Sequence, residues 1–220
     1  MDGGGLRDEY FKLGDIGNFR DAQDLWPIGS AAVITMNFSI ALMRLGGIGG
    51  FSLNAYFDTF GLEGILANAG WVVILFQAAR WLYTTFYSAG AGRPWSPFVF
   101  VCILLAIQVL HDLFFYYGLI RLVPSGRNEM IDALKRYANE NGSRALTTHA
   151  LFLIFTAIAA MWLKETTFIT SIVLVNVALY LLPFVITTLG PRPPPPPSKE
   201  KKPAAEKAQT MGMPAWGPEY

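Results

Sequence analysis

One apolar run of this chain carries residues that hydrocarbon tolerates badly. In AIQVLHDLFFYYG, Gln108, Asp112 and Tyr116 recur at i, i+4 and i+8, the spacing of one helical stripe, and His111 sits beside it. A carboxylate next to an imidazole can hold and pass a proton near neutral pH. Inside a bilayer an ionisable group costs about 2.5–3.5 kcal/mol on insertion scales, so Asp112 should point inward and find a partner. Asn37, Gln77, Arg80, Thr147, Thr148, His149 and Asn176 are the polar residues of other apolar stretches that could face it. Two readings follow. The cluster of Gln108, His111, Asp112, Tyr116 and His149 either fixes helix register through polar contacts worth about 0.6 kcal/mol each, or forms a proton or ion path.

Other chemistries find little material. Two histidines are too few for a metal-dependent phosphohydrolase of the His-Asp type, and a single cysteine, Cys102, excludes an internal disulfide and any multi-cysteine metal site. The neighbours of Cys102 in PFVFVCILLA suggest a buried small hydrophobe. GGIGG at 46–50 is followed by Phe51 rather than by a Lys-Ser/Thr pair, so it is no phosphate loop. The serines and histidines form no local pattern for a nucleophilic triad. No enzyme, cofactor or metal is expected. A formal charge of +1 gives no reason to expect nucleic acid.

The elements that must position the cluster follow from composition. Of the 220 residues, 53% are hydrophobic and 15% charged, with a mean hydropathy of +0.36, which describes a polytopic all-α membrane bundle. Apolar stretches run over 28–45, 64–87, 97–121, 145–163 and 167–189, and the last four have the length a bilayer requires. The first has Asn37 at its centre and Arg44 before a glycine cluster, so it is expected to break near Leu45 and to lie as a membrane-associated half-hairpin. Residues 1–25 read as a polar segment without a cleavable signal, and Asp2 removes the myristoylation pattern. Trp71, Trp81, Trp95 and Trp162 fall near the ends of spans, where interfacial aromatics belong, although Trp71 could equally face protein.

Counting Lys and Arg helps with topology. Four spans place 14 on one side against three, and five spans place 11 against six. Either count puts the 121–144 loop and the C-terminal tail together in the cytoplasm, where the sequon at Asn141 stays unmodified. Within that loop, Ser125 or Asn128 can cap a helix over 128–140 whose Met130, Leu134 and Tyr137 share a face, with Asp132 and Arg136 as an i,i+4 pair and Gly142 as a stop. It reads as a short amphipathic surface helix, either a connector beneath the bundle or a platform for a soluble partner.

The tail, 191–220, is chemically distinct. Pro193, Pro194, Pro195, Pro196 and Pro197 form a stiff polyproline II rod advancing about 3.1 Å per residue. Lys201 and Lys202 follow, and Met211, Met213, Trp216 and Tyr220 supply apolar anchors. Composition alone also fits a solvated, disordered appendage. Small residues in SAGAG (88–92) and FTAIAA (155–160) suit close helix packing, within one chain or between copies of a homo-oligomer.

The string HDLFFYYGLIRLVPSGRNEMIDALKRYANENG, continuing through RALTTHALFL to YLLPFVI, resembles small multi-pass membrane proteins of nucleocytoplasmic large DNA viruses, the giant viruses with a lipid membrane beneath an icosahedral capsid. The resemblance covers residues 100–186. It implies a virion inner-membrane protein whose exposed parts meet a capsid or scaffold protein, and it carries no catalytic assignment. Three functions are therefore in view: a membrane-to-capsid tether acting through 191–220 and 128–140, a small transporter or channel component using His111, Asp112 and His149, and an adaptor whose proline run recruits an SH3- or WW-like domain.

Overall fold

A computed structural model describes residues 13–47, 50–88 and 91–190. The proposed partner-binding residues Pro193 to Pro197, Lys201, Lys202, Trp216 and Tyr220 lie outside the described residues, as does most of the 1–25 segment's first half.

The described chain is all helical. After a 3-10 turn at Ala22–Asp24 come α1 (Leu25–Gly46), α2 (Gly50–Leu82), α3 (Pro97–Phe115), α4 (Glu129–Asn141), α5 (Arg144–Glu165) and α6 (Phe168–Thr187). Short π-helical turns, Tyr83–Ser88 and Tyr116–Ile120, extend α2 and α3. Five of these helices are long and apolar enough to cross a membrane, which makes the protein a multi-pass helical bundle by length and composition.

The first segment corrects the expected half-hairpin. It is an unbroken helix that ends at Gly46, with Gly47 at φ 66° closing it through an N–H donated to the Met43 carbonyl. Asn37 does not break it, because its Nδ2 donates to the Val33 carbonyl of the same helix at 3.0 Å. Far from lying at an interface, α1 is the helix against which α2, α5 and α6 all pack. Small residues make this approach possible: Ala31 and Ala32 of α1 and Ala157 and Ala160 of α5 are buried in one core with Phe76, Phe100 and Leu153. The alanines of FTAIAA thus pack within the chain. Thr35 and Thr156 join α1 to α5 by an Oγ1···Oγ1 hydrogen bond of 2.8 Å.

The apolar stretch expected at 64–87 lies within a longer helical run, Gly50–Ser88. Gly61, at φ 47° and ψ −116°, separates a short helix over 50–60 from the membrane helix over 62–82. Cys102 is exposed on the outward side of α3, not buried. In a bilayer, lipid and core are equally apolar, so a hydrophobic neighbourhood does not tell the two apart.

The two ends of the bundle are built differently. One gathers the start of α1, the end of α2, the start of α3 and the end of α5. Arg80, with a fully buried side chain, donates to the Asn18 and Asp21 carbonyls at 2.5 Å each and to Gln77 Oε1 at 2.7 Å, and pairs with Asp24 at 3.2 Å. Lys164 reaches the other Asp24 oxygen at 2.6 Å. These bonds fold residues 13–21 back onto the bundle as a plug, with Ile16 fully buried and the Gly14 N–H donated to the Met161 carbonyl. Arg80, one of the expected partners of Asp112, therefore sits at the opposite end of the membrane.

The other end carries α4. Asn128 caps it through Oδ1, which accepts the Ile131 N–H at 3.0 Å, and Gly142 at φ 51° stops it. The expected Asp132–Arg136 pair is absent among the described contacts. Asp132 instead accepts the Gly126 N–H at 2.7 Å and lies 3.9 Å from Lys135, because the preceding turn folds back over the first turn of the helix. Glu140 accepts the Phe51 and Ser52 N–H groups at 2.8 and 2.7 Å, capping the start of α2 from another helix. Gly50, at φ 76°, allows this approach, since a Cβ there would lie 2.3 Å from Glu140 Oε1.

Candidate functional site

The stripe on α3 does converge with a partner from another helix, and that partner is His149. Gln108 is fully buried and donates through Nε2 to Asp112 Oδ2 at 2.7 Å. The first turns of α5 bring His149 Nδ1 within 2.9 Å of the same oxygen. His111 Nδ1 faces Asp112 Oδ1 at 3.2 Å and also lies 3.0 Å from Trp71 Nε1 of α2. Four residues of the expected cluster, Gln108, His111, Asp112 and His149, are thus assembled by α3 and α5.

Tyr116 is not part of that hydrogen-bonded set. Its ring turns edge-on to Tyr117, 5.1 Å between centroids, where the helix loosens into a π turn through an Arg121 N–H to Tyr116 carbonyl bond. The remaining polar residues also go elsewhere: Gln77 to Arg80, Thr148 to the Arg144 carbonyl of its own helix, and Asn176 to the exposed side of α6.

Trp71 and Tyr137 were not assigned to the cluster from sequence. Trp71 lies against His149 at 5.3 Å and parallel to Phe152 at 6.4 Å, while Tyr137 of α4 stacks on His149 at 6.2 Å. Trp71 stood near a span end, where an interfacial role competed with a buried one; its only discriminating signal was that single indole donor. Burial, reinforced by the charges of Asp112 and Glu140, pushes the Tyr137 phenol up to about 12, so it stays protonated.

The proton inventory is restrictive. An indole N–H only donates, so the Trp71 contact makes His111 Nδ1 an acceptor and places the imidazole proton on Nε2. His111 Nδ1 then faces Asp112 Oδ1 acceptor to acceptor. Oδ2 is served differently, receiving Gln108 Nε2 and His149 Nδ1–H. A proton on Asp112 Oδ1, or a hydrogen-bond donor brought from outside, completes the set.

These groups line the wall of a large cleft between α1, α2, α3 and α5, floored by α4. Its volume is about 1390 Å³. Apart from the cluster the walls are mostly apolar, with Phe38, Leu42, Leu66 and Phe155 among them, and no Lys or Arg is among the described residues that line the cleft. Among the described residues no group of three or more His, Cys, Asp or Glu side chains is arranged to hold a metal ion.

A third polar centre lies where α6 ends. Arg44, its side chain 1% exposed, pairs with Asp58 at 2.7 Å and donates to the Asn54 carbonyl and the Ile186 carbonyl at 3.3 and 3.2 Å. Comparison with protein families, with curated proteins and with solved structures finds no match.

Proposed function

We propose that the chain is a structural membrane protein whose bundle anchors the 191–220 segment, and that this segment and α4 bind an overlying protein shell. The observation that carries the reading is the fixed root of the tail. Arg44 takes hold of the last turn of α6 through the Ile186 carbonyl, and Gly190 lies so close to Asn54 that a Cβ there would stand 2.2 Å from Oδ1. A tether transmits force only from such a root. The Glu140 clamp likewise holds α4 firmly at the same end as the tail root. With five spans, the count over the sequence assigns 11 Lys and Arg to that side against six to the other, which supports a cytoplasmic orientation. The resemblance to giant-virus membrane proteins supports a virion inner membrane as the location and a minor capsid protein as the partner.

Crosslinking mass spectrometry on the native membrane or particle tests this reading through Lys199, Lys201, Lys202 and Lys207. Crosslinks to one defined shell protein, lost when Trp216 and Tyr220 become alanine, are the expected result. Binding that needs only Pro193 to Pro197 identifies an SH3- or WW-type adaptor instead, and diffuse labelling of a protease-sensitive tail refutes the tether.

A second reading is supported by the hydrogen-bonded set His149, Asp112 and His111: proton or ion movement through the bundle. Its test is flux in proteoliposomes, where Asp112→Asn should abolish the signal; unaltered flux refutes it.

A further inference from the structure

The cleft beside Asp112 is wider than either reading needs. At about 1390 Å³ it exceeds the roughly 300–1,000 Å³ of ordinary small-molecule pockets. Its walls along α1 and α5 are apolar, with Phe38, Leu42 and Phe155 among the exposed side chains. In a membrane the molecules that meet such a surface are lipids, so the specific question is which headgroup the polar wall selects.

The atoms on that wall give the answer. Asp112 Oδ1 and His111 Nδ1 are both acceptors, 3.2 Å apart; Trp71 serves His111 Nδ1 with a donor, and among the described residues Asp112 Oδ1 receives none. His149 donates through Nδ1 to Asp112, which leaves its Nε2 as an acceptor; His111 carries its proton on Nε2 and can donate. The side chains of Asp112, His111 and His149 are 15%, 29% and 36% exposed, so a ligand can reach them. With His111 Nδ1 taken by the Trp71 N–H, the wall offers two free acceptors, Asp112 Oδ1 and His149 Nε2, and one donor, His111 Nε2–H, within one patch. A hydroxyl is the group that both donates and accepts there. A phosphate is the wrong partner: it brings negative charge beside Asp112, and among the described residues no Lys or Arg lines the cleft to receive it.

We infer that this cleft is a binding site for a neutral, hydroxyl-bearing lipid of the acylglycerol type, its hydroxyl on Asp112 and the two imidazoles and its chains along the apolar walls of α1 and α5. The donor that Asp112 Oδ1 lacks is then supplied by the lipid hydroxyl. The inference does not depend on the tail, and it stands whether or not the tether reading does.

The test uses the full chain in nanodiscs and a diacylglycerol carrying a photoreactive group in one acyl chain, with the labelled residues mapped by mass spectrometry. Labelling should concentrate on the cleft walls, at residues such as Phe38, Leu42 and Phe155. Unlabelled dioleoylglycerol should compete at least tenfold better than dioleoyl phosphatidic acid, which has the same chains. Asp112→Asn, which keeps the shape but turns the Oδ1 acceptor into an amide donor, should reduce cleft labelling about tenfold. The lipid competition is measured on the unaltered chain, so the outcome does not depend on the variant folding. Label spread evenly over all outward helix faces, or equal competition by phosphatidic acid, overturns the inference and leaves the cleft as ordinary lipid contact.

Discussion

Replacing Arg80 with leucine should release the N-terminal plug without dismantling the bundle. The guanidinium is fully buried and makes two 2.5 Å bonds to the Asn18 and Asp21 carbonyls, one to Gln77 and one to Asp24. Hydrogen bonds to a charged group contribute about 1.5–3 kcal/mol each, so the two carbonyl bonds alone represent roughly 3–6 kcal/mol. Two effects reduce that figure. The leucine no longer carries the desolvation cost of a buried cation, and Asp24 keeps Lys164 at 2.6 Å, so no carboxylate is left unpaired. The net loss should be about 2–4 kcal/mol and should fall locally on residues 13–21. At 1.4 kcal/mol per decade this corresponds to roughly 30- to 700-fold faster amide exchange there. Hydrogen exchange in nanodiscs reads it directly at Gly14, whose N–H is bonded to the Met161 carbonyl, and at Phe19, bonded to Thr84 Oγ1 at 2.8 Å. Arg80→Lys keeps the charge but not the fork, and should fall between the two. Exchange at 13–21 unchanged within threefold in Arg80→Leu would refute the plug, and equal acceleration in α3 and α5 would show that Arg80 supports the whole bundle instead.

Other parts of the molecule make equally direct predictions. Burial pushes the Glu140 carboxyl up, but the hydrogen bonds from Ser52 and Phe51 outweigh it and hold the group below the usual carboxylate value. Its stabilisation is thus fully present above the unfolded value and is lost as pH falls through the lowered folded one; Glu140→Gln should cost about 1 kcal/mol and flatten the acid-side pH dependence of amide exchange at the start of α2. The Tyr137 phenol, raised to about 12, should titrate at lower pH once Asp112→Asn removes a nearby negative charge, measured as the absorbance difference against Tyr137→Phe; an unmoved titration would mean that burial and Glu140 set it without Asp112. Gly190→Leu should force its side chain into Asn54 and destabilise the root of the tail by about 1–3 kcal/mol, seen as faster exchange at the end of α6. In a tether this variant should weaken retention under load while leaving the affinity of an isolated tail peptide unchanged.

Local pattern was enough for the elements. Four apolar stretches of sufficient length, the Asn128 cap and the Gly142 stop of α4 and the Gln108–Asp112 stripe are all properties of neighbours a few residues apart, where helical periodicity acts directly. His149 was among several polar residues that periodicity allowed to face Asp112; only the packing of α5 against α3 chose it and sent Arg80 to the far end. The same holds for α1. Asn37 and Arg44 argued against a span as isolated residues, yet Asn37 is served by its own helix and Arg44 by Asn54, Asp58 and Ile186, partners up to 142 positions away. The plug at 13–21 and the Glu140 cap belong to this class too, since a carbonyl or amide on the main chain looks alike at every position. Cys102 shows the physical limit most plainly. In water, burial separates apolar from polar side chains, but in a membrane the core and the lipid are both apolar. Which face turns inward is therefore decided by small residues that let helices approach and by polar groups that must find each other, and both depend on which helices become neighbours.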